Sequence, residues 1–388
     1  MQTKPTRLRT AIRFLSTCIF VLALALPMLG NIFKLDPDIV LMEAPPLPLP
    51  KFEFSFRVIA NTASILRESY LEKLFGFRKL LVRMQNILDV IYLSSSTMYD
   101  PVLMTPEKWL FLAKENNDLN VLEDFRNVDL YTPEQLEYWL KIFAARKQWL
   151  DSKGIKYLMV VCPNKSTIYP DRIPAKYNRV HSYTRLDQLI DYVRAGGIEV
   201  VDLRPTLRKE RQLTKAYYDT DSHWTTYGAL AGYREIIKRL SVDFPGMKPK
   251  GLSDFGLTLQ HGFLNSLASM LALGNLFQED RIIFVPKQGY KAHYIDAQYL
   301  NPEYFQPTKI MELDDPSLPR AVIFRDSFAE ELLPLLGEHF SRSVFIWPYP
   351  TDRKKVRYFD KEVIEKEKPD VVIEEFVERY FIRFPVTD

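Results

Sequence analysis

The chain has 388 residues, 47% of them apolar and 26% charged, with 14 glycines and 26 prolines. That composition excludes a mainly disordered, collagenous or disulfide-scaffolded protein, and at about 150 residues per domain the length allows two to three domains. Lys and Arg total 52 against 49 Asp and Glu; Lys4, Arg7, Arg9 and Arg13 lie before residue 34 with no acid among them, leaving 48 basic against 49 acidic residues from there on. A body with no basic excess lacks the electrostatic footprint of a nucleic-acid binder.

Phe14–Phe33 is a run of 20 residues without a charge. As a helix it spans roughly 30 Å, the thickness of a bilayer's hydrocarbon core. Its basic flank predicts residues 1–13 in the cytoplasm and the remainder exported to the periplasm, with the run as a single-pass inner-membrane anchor. Ala23-Leu24-Ala25 offers the alternative of signal cleavage, but the run continues past those residues and is long for a signal segment. A buried core helix is disfavoured by the four flanking cations. Ala44-Pro45-Pro46-Leu47-Pro48-Leu49-Pro50 reads as a stiff, extended spacer. The expected organisation is a tail over 1–13, a transmembrane signal anchor over 14–33, a proline-rich spacer over 34–61 and one domain over 62–388, with an insertion near 250–310.

Further along, residues 62–91 carry a helical apolar pattern that Gly76 breaks or kinks. Trp109–Ala113 reads as a strand, Pro133–Ser152 as a helix capped by Thr132, and Lys156–Cys162 as a strand. Helix and strand then alternate: Ser182–Arg194, Ile198–Leu203, Thr225–Leu240, Arg320–Phe324, Phe328–Phe340, Ser343–Trp347, Lys361–Lys368 and Asp370–Glu374. Short apolar runs between amphipathic helices predict a three-layer α/β fold, a mostly parallel sheet covered on both faces. Cys18 lies in the apolar run and Cys162 at a strand end, so a disulfide between them is not expected. No Cys/His spacing fits zinc and no Gly-rich loop fits a nucleotide, so neither metal nor cofactor is expected.

In such sheets the working residues lie beyond the carboxyl ends of strands. Ala321–Phe328 reads as strand, turn and helix, which puts Ser327 at a helix N-terminus suited to a developing oxyanion. The other reading of Ser327 is an N-cap. A serine nucleophile needs a base, and of five histidines only His223 has a carboxylate at useful spacing. In an extended segment Asp221 and His223 project to the same side, so Asp221 can orient the imidazole. Alternatively, Asp221 caps the following helix and His223 is a loop residue. Asp221, His223 and Ser327 together make a candidate triad.

Several segments in order resemble the AlgX/AlgJ family of alginate O-acetyltransferase-like proteins, which carry an SGNH-hydrolase-like, flavodoxin-like domain. Tyr218-Asp219-Thr220-Asp221-Ser222-His223-Trp224 resembles the family's Asp-x-His-Trp motif, and Phe324-Arg325-Asp326-Ser327-Phe328 its Asp-Ser-Phe motif. Leu74–Arg78, Trp109–Leu112, Val161–Pro170 and Pro369–Arg379 are similar to its structural segments, so the likeness covers roughly residues 65–385. Arg325 stands where ordinary SGNH hydrolases have Gly, their separate Gly and Asn oxyanion blocks are not recognisable, and the acid–base pair precedes the serine, as in this family.

The resemblance implies that Ser327, activated by His223 and Asp221, accepts an acetyl group and passes it to a hydroxyl of an exported polysaccharide. It further implies a separate multi-spanning membrane acyltransferase as acetyl supplier, which accounts for an anchored enzyme. Arg325 is then a possible aid to the oxyanion; Trp224 is either a sugar-stacking wall or core; Asn164 and Lys165 are either site-edge residues or turn chemistry. An esterase with the same triad and a non-catalytic polymer-handling protein are the alternatives. The polymer is not legible.

Overall fold

The computed structural model describes residues 7–35, 62, 67, 76–89, 97–99, 101–115, 119–295, 306–348 and 359–382; the proline spacer lies outside them. The chain divides into two units, residues 1–95 with 264–277, and residues 96–263 with 278–388.

Among the described residues of the first unit one helix, Arg7–Ile32, is long and apolar enough to cross a membrane, and it is a candidate single-pass anchor. Part of the expected helix 62–91 is described: Arg78–Leu88 forms a helix, preceded by Gly76 and by Phe77 in the left-handed region at φ 63°.

The second unit is built on a seven-stranded sheet. We label its strands in chain order β1 (Lys156–Cys162), β2 (Val200–Asp202), β3 (His293–Ile295), β4 (Lys309–Glu312), β5 (Arg320–Phe324), β6 (Arg342–Ile346) and β7 (Val371–Val377). The spatial order is β3-β4-β6-β5-β7-β1-β2. Neighbours from β6 to β2 pair in parallel, while β4 and β3 add an antiparallel edge.

The near-continuous apolar runs of these strands follow from burial on both faces. Side chains alternate across the sheet. Leu158, Val160, Ala321, Ile323, Val371 and Ile373 face one core, shared with Leu230, Tyr233 and Ile237 of the helix Thr226–Asp243. Tyr157, Met159, Val161, Val322 and Val372 face the other, shared with Trp139 and Phe143 of Pro133–Asp151 and Leu189 and Val193 of Arg185–Ala195. Each fully buried Leu, Val, Ile or Phe stabilises the fold by roughly 1.5–3 kcal/mol.

Local chemistry sets several boundaries. Thr132 closes a capping box with Gln135, which starts the first long helix of this unit where expected. β7 continues to Val377, past the expected end at Glu374, because Glu374 and Glu375 are buried acids rather than a solvated strand end. Glu374 accepts from Arg146 at 2.7 Å and from the Tyr157 hydroxyl, so a charge inside the core has its partners. The expected helix Phe328–Phe340 is instead a 3₁₀ turn, Ser327–Glu331, followed by a short helix Leu333–Gly337. Pro334 lacks an amide hydrogen and restarts the helix, as proline does in a first turn. Within the expected insertion, Phe255–Leu264 and Gln278–Pro286 pair with each other, and His293–Ile295 joins the main sheet.

Candidate active site

Three neighbouring parallel strands, β5, β7 and β1, deliver their carboxyl ends to one place. Beyond β5 come Arg325, Asp326 and Ser327; beyond β7, Glu378 and Arg379; beyond β1, Pro163, Asn164 and Lys165. Backbone-to-carboxylate hydrogen bonds tie the three ends together. The Asp326 amide donates to Glu375 at 2.9 Å, the Val377 amide to Asp326 at 2.7 Å, and the Asn164 amide to Glu378 at 2.8 Å.

The fourth component is a loop between helices Arg204–Leu213 and Thr226–Asp243. Tyr217 and Trp224 pair as an antiparallel bridge, which closes residues 218–223 into a tight turn. Gly228 lies directly behind it: a Cβ there would overlap the Ala216 carbonyl, so only glycine lets the helix approach this closely.

Within this loop Asp221 Oδ1 accepts from the His223 amide at 3.0 Å and lies 2.7 Å from His223 Nδ1. His223 Nε2 lies 2.8 Å from Ser327 Oγ. With the Asp221 side chain 8% exposed and that of His223 30% exposed, the acid is dry and the ring reaches a half-buried serine. The three residues singled out from sequence therefore form one hydrogen-bonded chain.

Ser327 does not cap this turn. Asp326 does, accepting from the Phe328 amide at 2.8 Å. That engages the amide after the serine, and Ser327 opens a 3₁₀ turn rather than the α-helix N-terminus expected from the sequence. Burial pushes the Asp326 carboxyl up, while Arg379 and the two backbone amides pull it down. Burial, and then the Asp326 charge, hold Glu375 well above the usual carboxylate range.

The remaining candidates are all buried. Trp224 is 1% exposed, with its ring edge-on to Phe328 at 5.2 Å, so its core reading holds and no face is open to a sugar. The Arg325 guanidinium lies 4.9 Å from the Trp347 ring and donates to Glu330 at 2.6 Å, with Nε and Nη2 unpartnered among the described residues. The Asn164 carboxamide oxygen faces Arg379 Nη1 at 3.5 Å, and Arg379 also pairs with Glu115.

Lys165 is not at an open edge. Its buried ammonium donates to the carbonyls of Leu110 at 2.6 Å, Asp219 at 2.7 Å and Asp221 at 3.1 Å, over the rings of Trp109 and Phe111. The same loop is gripped from its amide side by Glu279, which accepts from the Asp219 amide at 3.0 Å, the Thr220 amide at 2.7 Å and the Thr220 hydroxyl at 2.6 Å. Sequence reasoning missed Glu279 and Arg379, since neither stands in a motif that names a partner.

Among the described residues no cluster of His, Cys, Asp and Glu is placed to hold a metal ion. A cavity of about 560 Å³ lies at the opposite, amino-terminal end of the strands. Its charges pair with one another, Lys156 with Asp243 and Arg239 with Glu199, and nothing in it approaches the serine.

A mostly parallel sheet between two helical layers, with its serine beyond a strand's carboxyl end, defines the SGNH-hydrolase-like class. Residues 102–378 match the model of the ALGX family, described as an SGNH hydrolase-like domain of the acetyltransferase AlgX, and the chain belongs to that family. It is 24% identical over 177 residues to the probable alginate O-acetylase AlgJ of Pseudomonas aeruginosa, a match covering 45% of this chain and 41% of that protein. The chain thus spans about two fifths of the length of that relative. Among solved structures it is similar to PatB1 of Bacillus cereus, solved with a sulfonyl adduct, at 16% identity and a TM-score of 0.52 over 72% of this chain and 97% of that one. A DHHW family protein from Eubacterium siraeum gives 16% identity and a TM-score of 0.51 over 74% and 94%. At such identity these two likenesses speak for the fold alone.

Proposed function

We propose that this protein is an O-acetyltransferase that moves an acetyl group through an acetyl-Ser327 intermediate onto a hydroxyl of an exported polysaccharide. The observation that carries this reading is the contact chain from Asp221 through His223 to the half-buried Ser327, at 2.7 and 2.8 Å. His223 Nε2 takes the Ser327 proton as Oγ attacks the acetyl carbonyl, and returns it to the departing donor group. A sugar hydroxyl then attacks the acetyl-serine, gives its proton to His223, and Ser327 regains its hydrogen. Asp221 holds the ring and stabilises the imidazolium in both halves. The turn of the Asn164 oxygen toward Arg379 supports its Nδ2 as a donor to the oxyanion.

An exported body follows from the cations before Phe14, which favour a cytoplasmic N-terminus and a periplasmic site. A C-terminal reporter active only in the cytoplasm would overturn that orientation. Anchoring at the inner membrane suits an acetyl group delivered by a multi-spanning membrane acyltransferase.

The test is a small activated acetyl ester offered with uronate- and glucose-based oligosaccharides. A positioned acceptor hydroxyl has a large effective-molarity advantage over water, so acetylated sugar should form and ester consumption should speed up wherever deacylation is limiting. Fast hydrolysis with no acetylated sugar from any acceptor would replace this reading by an esterase.

A further inference from the structure

The first unit contains a helix that the proposed chemistry does not use. Arg78–Leu88 packs through its buried Asn86, whose Nδ2 donates to the Leu271 carbonyl at 2.8 Å, against the segment 264–277 of the same unit. Its other side is bare and apolar: Leu81, Met84 and Leu88 are 52%, 50% and 52% exposed. Spacings of three and four put these residues on one stripe. Arg78, Lys79 and Arg83 accompany them, with no acid between Gly76 and Leu88.

The start of this helix is docked on the candidate membrane span. A Cβ at Gly76 would overlap the Pro27 carbonyl, and a Cβ at Gly30 would overlap the Phe77 ring. Gly30 and Pro27 lie three and six residues before Phe33, the last of the apolar run. At 1.5 Å per residue that is roughly 5 and 9 Å inside its exported end. Helices that lie in a membrane surface bury their apolar face by about that depth and keep Lys and Arg at the headgroups.

We propose that Arg78–Leu88 lies in the outer interface of the membrane crossed by Arg7–Ile32, with Leu81, Met84 and Leu88 among the acyl chains and Lys79, Arg83 and Lys34 at anionic headgroups. The occupant of the bare face is lipid. Continuity with the span and the basic flank choose it over a protein partner. The proposal rests on the reading of Arg7–Ile32 as an anchor. It ties the chain to the bilayer at a second place and limits rotation of the span about its own axis.

The experiment uses the full chain in vesicles of phosphatidylethanolamine and phosphatidylglycerol. A polarity-sensitive dye is placed on Cys18, which is exposed on the span, or on Met84→Cys or Lys79→Cys in a Cys18→Ser background; Cys162 is buried and stays unlabelled. The Met84→Cys dye should emit to the blue of the Lys79→Cys dye, resist iodide, and be quenched most by lipids spin-labelled near the headgroup. The Cys18 dye, roughly 6 Å inside the other end of the span, should resist iodide and be quenched by the spin-labelled lipids. A Met84→Cys dye as open to iodide as the Lys79→Cys dye, beside a lipid-quenched Cys18, overturns the interfacial helix and leaves the anchor standing. A Met84→Cys dye shielded from iodide but untouched by either lipid label also overturns it, in favour of a protein partner. If the Cys18 dye escapes both labels, the anchor falls, and the interfacial helix with it.

Discussion

Ser327→Ala should lower acetyl transfer by roughly 10³–10⁶-fold, the range seen when a hydrolase of this kind loses its nucleophile. The protein should stay folded. Ser327 is half-buried and its hydroxyl meets His223, whereas the cap on the turn is the Asp326 carboxylate, which accepts from Phe328 and Val377. Removing the serine hydroxyl therefore leaves no buried amide without a partner, and surface-type changes of that sort usually stay within about 0.5 kcal/mol. Turnover with an oligosaccharide acceptor and the Tm of the variant are the two measurements. Transfer at the wild-type rate would remove Ser327 from the nucleophile role. A large fall in Tm would mean the hydroxyl is structural.

Lys165→Met should lower kcat by roughly 10–100-fold with little change in KM, because the loss is of geometry and not of a substrate contact. The ammonium holds the carbonyls of Asp219 and Asp221, which bracket the turn leading to His223. Methionine fills similar space but donates no hydrogen bond, so the Asp221 carbonyl loses its ammonium donor while the Leu110 amide still meets the Asp219 carbonyl and Glu279 still holds the amide side. The rate at which a sulfonyl fluoride modifies Ser327 should fall in the same proportion, since that reaction needs the histidine in place but no sugar. A variant as reactive as wild type would mean that Lys165 merely fills the core.

Lys165 also carries a pH signature. Burial pulls its ammonium down to about 7 against the attraction of Glu279, Asp219 and Asp221, with nearby Lys215 lowering it further. A neutral amine cannot donate to three carbonyls, so sulfonylation of the wild-type serine should lose rate as pH rises through about 7, and Lys165→Met should lack that limb. Stability moves the other way. A folded-state value below lysine's ordinary one means that the unfolded chain holds more protons between the two, so this group's contribution to stability grows with pH above about 7. A rate lost to unfolding would track falling stability; this one should not.

Much of this molecule was legible in the chain itself. The parallel sheet announced itself through runs such as Lys156–Cys162 and Arg320–Phe324, whose unbroken apolar character has one physical reading, burial on both faces. Thr132 marked a helix start because capping is a local hydrogen-bonding matter. The pairing of Asp221 with His223 was readable too, since two residues of separation fix which side each faces.

What the chain alone left open depends on contacts between distant residues. Ser327 and His223 are 104 positions apart, and nothing local brings them to 2.8 Å. Glu374 and Glu375 read as the end of a strand because acids favour water, yet the fold supplies Arg146, Tyr157 and the Asp326 amide, and the strand runs on. Pro334 split a helix that periodicity ran through, and Asp326 took the cap that spacing offered to Ser327. Lys165 and Glu279 are 114 residues apart in sequence and grip opposite sides of one loop, each satisfying backbone groups that carry no sequence signal of their own. Local propensity and periodicity act over a few residues and can be read in order. The partners of a buried charge are chosen by how strands and loops meet in space, and that choice belongs to the tertiary structure.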